Sequence, residues 1–157
     1  GSVIVIEKEA AVGGNTLRAG SAMNASNPEL QAQETMSESE KETVEEFLAL
    51  EPENETMAAW QQTLAAEWNA YQESGATHLF DSPSLHKLQT YADGDYVADP
   101  FLVDLLCENG PLAVQQMAEL GTKWQSSINA AVGATWRRSH TPTVEDGTGG
   151  TQFVMPQ

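Results

Sequence analysis

The sequence predicts a predominantly α-helical chain with one or two short strands. Apolar side chains recur every three or four residues along residues 57–71, which places them on one face of a helix. The dipeptides Ser82-Pro83 and Asp99-Pro100 each combine a capping side chain with a proline in the first turn, a pattern typical of helix starts. By contrast, the chain has a single run of four consecutive β-branched residues, at residues 3–6.

That run predicts a strand that is buried on both faces, as in a parallel sheet. Glu7 follows it directly, at the carboxyl end of the strand. In nucleotide-binding α/β sheets this position holds a carboxylate that accepts hydrogen bonds from ribose hydroxyls. Gly13 and Gly14 then allow the backbone to approach a ligand closely, with Asn15 and Thr16 beside them.

Three stretches together resemble the flavoprotein domain of the fumarate reductase/flavocytochrome c family. The first consists of Val5-Ile6-Glu7-Lys8, Gly13-Gly14-Asn15-Thr16 and a small-residue segment that ends in Met23-Asn24. The second covers residues 98–121, and the third is the Arg-Arg-Ser-His-Thr-Pro-Thr sequence of residues 137–143. The resemblance covers both ends of the chain, and we expect residues 28–97 to be a helical insertion.

The resemblance implies an α/β parent protein with a Rossmann-like domain that binds FAD. Glu7 would hold the ribose, and the segments of residues 13–16 and 20–23 would wrap the FAD and line the flavin. Ser21 and Ala22 stand where the family usually has glycines, although both are small. The residues expected to bind the cofactor are Glu7, Lys8, Gly13, Gly14, Asn15, Thr16, Gly20, Ser21, Ala22 and Met23. We expect no catalytic residue and no metal ligand in this chain.

Family members transfer a hydride between flavin and an activated carbon–carbon double bond, so the implied substrate is an unsaturated acid or ketone. The family's Gly-x-Gly-x-x-Gly turn and its catalytic Arg and His residues do not occur in this sequence. We therefore expect an internal fragment, divided into residues 1–27, 28–97 and 98–157. Such a fragment should be inactive, should bind FAD weakly or not at all, and should have the rest of its own flavoprotein chain as its partner.

The composition of the chain excludes several classes of partner and cross-link. A net charge of −16 and an isoelectric point near 4.2 argue against nucleic acid and anionic membranes as partners. No apolar run approaches the ~20 residues of a membrane-spanning helix. Cys107 is the single cysteine, which excludes an internal disulfide. The sequence leaves the cellular compartment open.

The helices can be bounded from local signals. The spacing of Ser39 and Glu42 matches a capping box for a helix over residues 40–50. Asn54 and Gly75 should cap the next helix at its two ends, and its apolar stripe favours core packing over flavin stacking. A third helix should begin at Ser82-Pro83 and end by Gly94.

Beyond Asp99, the sequence predicts two helices separated at Gly110-Pro111. We expect residues 101–108 to form the first and residues 112–120 to form the second, with Gly121 ending it. The side chains predicted to face inward are Leu102, Leu105, Leu106, Val114, Met117 and Ala118, with Cys107 as a small buried core residue.

The remaining polar residues give weaker signals. His78 and His86 should be solvated or associated with helix caps, and the three histidines lack the spacing of a helical metal pair. His140 lies in the family-like stretch, either near the flavin or as a loop residue that fixes the chain path. Arg137 and Arg138 are adjacent and should point in different directions. Residues 144–150 read as a loop, and residues 151–155 as a strand or a helix start.

A second function class is a helical protein-interaction module, for which the acidic helices and the face of residues 57–71 would be the working surface. In either class, the strand at residues 3–6 has no sheet partner that the sequence identifies. An unpaired strand with two apolar faces should pair with a second copy, pack under helices or become disordered, so a dimer through this strand is one of three expectations.

Overall fold

The computed structural model describes residues 2, 4, 6–10, 22–131, 133–145 and 151–153. Its body is helical, which confirms the predicted fold class. The helices are α1 (Pro28–Gln31), α2 (Glu38–Ala49), α3 (Glu55–Glu73), α4 (Pro83–Ala92) and α5 (Pro100–Glu119). Helix α4 packs against both α3 and α5.

The strands are short, and in the described ranges they form two antiparallel sheets of three strands each. The first sheet has the order β1 (Met23–Asn24), β4 (Arg137–His140) and β3 (Asn129–Ala130). The second has the order β2 (Lys123–Trp124), β5 (Pro142–Glu145) and β6 (Thr151–Phe153). A strand at residues 151–153 was one of two predicted alternatives. The predicted loop at 144–150 is wrong at residues 144 and 145, which belong to β5, and its other residues lie outside the described part.

The core lies between α2, α3, α4 and α5. Burial of the α3 stripe confirms that its aromatic residues pack in the core, where Trp60 contacts Tyr91 edge-on at 5.8 Å. Trp68 likewise meets Phe80 at 5.1 Å. The largest fully buried side chains include Val44, Met57, Leu64, Leu79, Leu85 and Leu88. The face of residues 57–71 is therefore interior, not a surface for partners.

Capping side chains fix the helix starts. Asn54, Ser82 and Asp99 each accept a hydrogen bond from a backbone N–H of the first turn, as predicted. Gly75 has φ +68°, the left-handed conformation expected after α3. The predicted capping box of α2 is displaced by two residues, because Ser37 and Glu40 form it instead of Ser39 and Glu42.

Helix α5 is one continuous helix, so the predicted break at Gly110-Pro111 is wrong. Pro111 removes one intrahelical N–H bond, and the packing of the neighbouring Cys107, Gly110 and Val114 against the rest of the protein offsets that loss. The inward assignment of the leucines is also wrong, because Leu102, Leu105 and Leu106 are at least half exposed. Met117 and Ala118 are exposed too, whereas Val103, Cys107, Gly110 and Val114 face the core.

Gly110 sets the distance between α5 and β1. A Cβ at this position would lie 3.3 Å from the Cβ of Ala25 and 3.6 Å from the carbonyl oxygen of Asn24. The absence of a side chain therefore lets the helix pack directly on the backbone that follows β1.

The predicted strand at residues 3–6 is not formed by its described members. Ile4 and Ile6 are in no strand and are 86% and 92% exposed. A strand with two apolar faces requires neighbours, and the strands of the described ranges pair only with one another. The expectation of burial thus depended on sheet partners that this part of the chain does not provide.

Candidate functional site

The predicted cofactor-binding residues fall into three groups. Glu7 and Lys8 lie in the exposed N-terminal segment, where Glu7 Oε1 accepts hydrogen bonds from the backbone N–H groups of Lys8 at 2.7 Å and Glu9 at 3.0 Å. Ala22 is exposed, and Met23 is partly buried in β1. The others lie outside the described residues: Gly13, Gly14, Asn15, Thr16, Gly20 and Ser21.

Strand β1 brings two family-like stretches together that are more than a hundred residues apart in the chain. Met23 pairs with His140, and Asn24 pairs with Ser139, in antiparallel register. The next residue continues the pairing, because the N–H of Ala25 donates to the carbonyl of Arg138 at 3.0 Å. The end of the first motif and the Arg-Ser-His segment therefore form one continuous piece of sheet.

His140 is buried in this sheet and has a partner on each ring nitrogen. Nδ1 lies 3.2 Å from the Met23 carbonyl and 3.0 Å from the Arg138 carbonyl, while Nε2 lies 3.1 Å from the Asn27 amide nitrogen. Because a carbonyl can only accept, Nδ1 carries the hydrogen and Nε2 accepts from Asn27. In this structure His140 thus ties β1, β4 and the start of α1 together.

Arg138 forms a buried ion pair with Asp81. Its Nε lies 3.0 and 2.9 Å from the two carboxylate oxygens, and its Nη2 contacts one of them at 2.5 Å. Gln31 donates to the same carboxylate at 2.6 Å. Burial raises the pKa of the Asp81 carboxyl, and the Arg138 guanidinium opposes that shift. The forked contact is the arrangement that best stabilises such a pair in its ionised form.

Arg137 points to the other side, as the alternation of a strand requires and as predicted. It forms ion pairs with Glu34 and Glu40, each at 2.7 Å, and donates to the Thr35 carbonyl at 3.1 Å. These contacts tie β4 to the connection between α1 and α2 and to the first turn of α2. The two arginines therefore hold different elements and share no ligand.

A cavity of about 190 Å³ with a mixed polar and apolar lining lies beside the Arg138 pair. Its walls come from the start of the first sheet, from α4 and from the segment that leads into β4: Asn24, His86, Gln89, Thr90, Asp93, Gly133, Ala134, Thr135, Trp136 and Arg138. The prediction that His86 is solvated is wrong, since α4 is packed between α3 and α5 and this side chain is only 8% exposed. Burial, with a smaller contribution from Arg138, lowers the pKa of His86 to about 3.

An apolar groove of about 730 Å³ runs along α5 next to that cavity. The half-exposed leucines form one wall, and Met23 with Asn24 forms the end nearest the sheet. Asn24, His86 and Thr90 line both spaces. The groove therefore connects the leucine face of α5 with Met23, one of the residues expected to line a flavin.

Other candidate chemistry has structural explanations. Burial raises the pKa of the Cys107 thiol to about 11, so it is an unreactive core residue, as predicted. In the ranges that the structure describes, no three His, Cys, Asp or Glu side chains converge as they would around a metal ion. No helix among the described residues has both the length and the apolar composition needed to cross a membrane.

Sequence reasoning missed both the Arg138–Asp81 pair and the cavity. Asp81 and Arg138 lie 57 residues apart in the sequence. No periodicity in the sequence indicates that a residue just before α4 will contact a residue of the distant strand β4. The available signal was the rarity of basic residues: only seven Lys and Arg occur against 23 Asp and Glu. With so few cations, two adjacent arginines in a short strand indicate specific acidic partners.

Comparison with known proteins places the chain among relatives of oxidoreductases. The NADH:acrylate oxidoreductase of Vibrio harveyi is 33% identical over 156 aligned residues, which include 90% of this chain. The L-aspartate oxidase of Caulobacter vibrioides is 51% identical over 41 residues, or 26% of the chain. No family model matches, and no solved structure matches.

The chain spans only 15% of the length of the first relative and 8% of the second. Because the first alignment includes 90% of the chain, it takes in most of residues 28–97. This helical segment, expected to be an insertion, is therefore shared with that relative.

Proposed function

We propose that this chain is part of an FAD-dependent oxidoreductase that resembles fumarate reductase and reduces an activated carbon–carbon double bond by hydride transfer from flavin. The similarity to NADH:acrylate oxidoreductase along 90% of the chain supports this proposal. The observation that carries it is the pairing of Met23 with His140, because two stretches selected separately for their family resemblance meet in one sheet.

In this proposal the N-terminal segment holds the cofactor. Glu7 accepts hydrogen bonds from the adenosine ribose, with Lys8 beside it. Residues 13–16 wrap the FAD, and residues 20–23 line the flavin. The Glu7 carboxylate has no side-chain donor among the described residues, since the contacts that it accepts come from the backbone of Lys8 and Glu9. A ribose could replace those two contacts without breaking a tertiary interaction.

The proposed partner of this chain is the remainder of a longer flavoprotein. Leu102, Leu105 and Leu106 leave an apolar strip along α5 that is at least half exposed. Complete burial of a leucine is favourable by about 1.5–3 kcal/mol, so burial of the exposed half of each side chain would contribute roughly 1 kcal/mol to the binding of a covering element. The groove beside them ends at Met23, which supports a flavin-domain element as the cover.

The test of the cofactor assignment compares two proteins: the 157-residue chain and the longer protein that contains it. The longer protein should show flavin absorbance at about 450 nm and release FAD on denaturation, whereas the isolated chain should retain little or none. Glu7→Gln in the longer protein should lower FAD affinity about tenfold or more, because a charged hydrogen-bond acceptor is lost. Glu9→Gln, two residues away and also exposed, is the matched control.

A longer protein without flavin would refute the proposal, and an equal effect of the two substitutions would refute the role of Glu7. Substrate choice is tested separately, by reducing the bound flavin and following its reoxidation by acrylate, fumarate and an unsaturated ketone. We propose an unsaturated acid as the acceptor, since the relative's name specifies acrylate. Reoxidation by the ketone alone would contradict that choice.

A dimer through residues 3–6 is a further proposal, supported by the exposure of Ile4 and Ile6. Light scattering of the isolated chain tests it, with Ile4→Lys as the disrupting variant. The interaction module loses one of its two proposed surfaces, because Met57, Trp60, Leu64 and Trp68 of the face of residues 57–71 are buried. The acidic helices remain as its proposed surface.

A further inference from the structure

Helix α5 carries a second apolar face, on the side away from the core. The core side consists of Val103, Cys107, Gly110 and Val114. Because an α-helix turns by about 100° per residue, another set of positions falls on the opposite side. We call this set the outer face: Phe101, Leu102, Leu105, Leu106, Asn109, Leu112, Gln116 and the C-cap Leu120. Its six large apolar side chains are at least half exposed, and none of its residues is charged.

The outer face is both long and wide. It extends for about 28 Å along α5 and spans about 140° of the helix circumference. A polar stripe borders it on one side: Asp104, Glu108, Gln115 and Glu119. Two helices that pack as a pair share only a narrow apolar seam, whereas a stripe wider than about 100° faces a whole layer of a core. The outer face therefore fits a broad apolar surface better than it fits a single helix.

The run of β-branched residues at 3–6 is a second apolar feature that lacks a partner. Its described members, Ile4 and Ile6, are almost fully exposed and belong to no strand. A strand with two apolar faces needs neighbouring strands and a covering layer on each face, and parallel sheets obtain those layers from helices. The chain thus contains a strand sequence without a sheet and a helix face without a layer. One sheet would supply both partners.

We propose that the outer face of α5 packs on one face of a β-sheet in the longer protein, and that residues 3–6 form a strand of that sheet. This inference rests on the proposed function only in requiring that the chain belongs to a longer protein. The alignment with the first relative includes 90% of the chain but only 15% of the relative. A protein of that length has ample further chain for such a sheet, and helices that cover a sheet are a common layered arrangement.

Two other occupants match the outer face less well. A second copy would offer its own α5, which meets a wide face only along a seam, and the net charge of −16 on each copy opposes the pairing. An anionic membrane surface would be repelled by the same charge. An uncharged sheet face within the same protein carries neither disadvantage.

The first test measures thiol reactivity at two positions of α5 in the longer protein. Leu105→Cys places a thiol on the outer face, and Gln115→Cys, the matched control, places one on the polar stripe. The native Cys107 adds little background, because it is buried and the pKa of its thiol is raised to about 11. Reaction with iodoacetamide is followed by peptide mass spectrometry, so that cysteines elsewhere in the longer protein do not interfere.

The two thiols should differ only where the outer face is covered. In the longer protein, the Leu105→Cys thiol should react at least about tenfold more slowly than the Gln115→Cys thiol, because reaction requires the covering layer to open. In the 157-residue chain, where both positions are exposed, the two rates should agree within about threefold.

Hydrogen exchange tests the identity of the covering layer. In the longer protein, the backbone amides of residues 4–6 should exchange about 100-fold more slowly than in the 157-residue chain, because sheet hydrogen bonds protect them. The flavin content of the same samples is measured alongside. A longer protein without flavin but with a protected outer face refutes the proposed function alone, and a flavoprotein with a reactive outer face refutes this inference alone.

Three further results would overturn the inference. If both thiols of the longer protein are protected to the same extent, the cover is not specific to the outer face. If residues 4–6 exchange equally fast in the two proteins, the covering layer is not their sheet. If the Leu105→Cys thiol of the 157-residue chain becomes protected as concentration rises, together with a doubled mass in light scattering, the occupant is a second copy.

Discussion

The buried ion pair should dominate the stability of the junction between α4 and β4. Asp81→Asn preserves the shape of the side chain but leaves Arg138 without a counter-charge, and the two side chains are 0% and 5% exposed. The asparagine oxygen can replace one carboxylate oxygen, while its NH₂ group faces the donors of Arg138 or Gln31. Breaking a buried pair by removing one partner costs about 3–5 kcal/mol, and an arginine cannot lose its charge to escape this cost.

The assay is urea unfolding followed by tryptophan fluorescence, from which the free energy of unfolding is extrapolated. Glu34→Gln is the matched control, because it removes an acid from the neighbouring Arg137, whose pair is 25% and 32% exposed. That change should cost about 1 kcal/mol or less. The double variant Asp81→Asn/Arg138→Met should recover at least ~1 kcal/mol relative to Asp81→Asn alone, since no isolated charge remains buried.

Two outcomes would refute this reasoning. If Asp81→Asn costs no more than Glu34→Gln, the buried arginine does not require its carboxylate. If the double variant is less stable than Asp81→Asn, the cost comes from lost packing and not from an uncompensated charge.

Three further expectations use the same unfolding assay. The pKa of His86 is about 3 in the folded chain and 6.5 in its unperturbed state, so the unfolded chain binds the proton first. The contribution of His86 to the free energy of unfolding is fully present above pH 6.5 and decreases as the pH is lowered, by about 2 kcal/mol at pH 5. The variant His86→Phe should remove this part of the pH dependence. Leu64→Ala in the core should cost about 2–5 kcal/mol, whereas Leu106→Ala on the exposed face should cost under about 1 kcal/mol, and equal costs would contradict the assigned faces. Pro111→Ala should stabilise the chain by about 1–3 kcal/mol by restoring a helical N–H, and a loss of stability would show that the proline is required there.

Local signals in the sequence predicted the helix starts well. Asn54, Ser82 and Asp99 satisfy N–H groups within the next three residues, so their effect is encoded in adjacent positions. The apolar stripe of α3 was predicted equally well, because the opposite face of this helix carries only polar residues and alanines. Only one orientation of the helix therefore buries its large apolar side chains.

The faces of α5 could not be predicted in the same way. This helix carries apolar residues on both sides, so periodicity does not determine which side meets the core. Gly110 and Cys107, the smaller residues, decide it through close packing, and the leucines are left outside. Tertiary contacts also override the helix-breaking tendency of Pro111.

The candidate sites depended even more on distant pairing. Met23 and His140 were each singled out from a family-like stretch, but nothing in either stretch specified that they pair. The cavity is assembled from α4, the segment before β4 and the residues beside β1, so it exists only when these elements are packed together.

The close approach of Gly110 to Ala25 has a mechanical consequence. With no side chain at Gly110, α5 lies directly on Ala25 and on the Asn24 carbonyl, and a larger residue would have to push the helix away from the sheet. Gly110 also lines the groove between the leucines of α5 and Met23. The width of that groove therefore depends on a single hydrogen atom in place of a side chain.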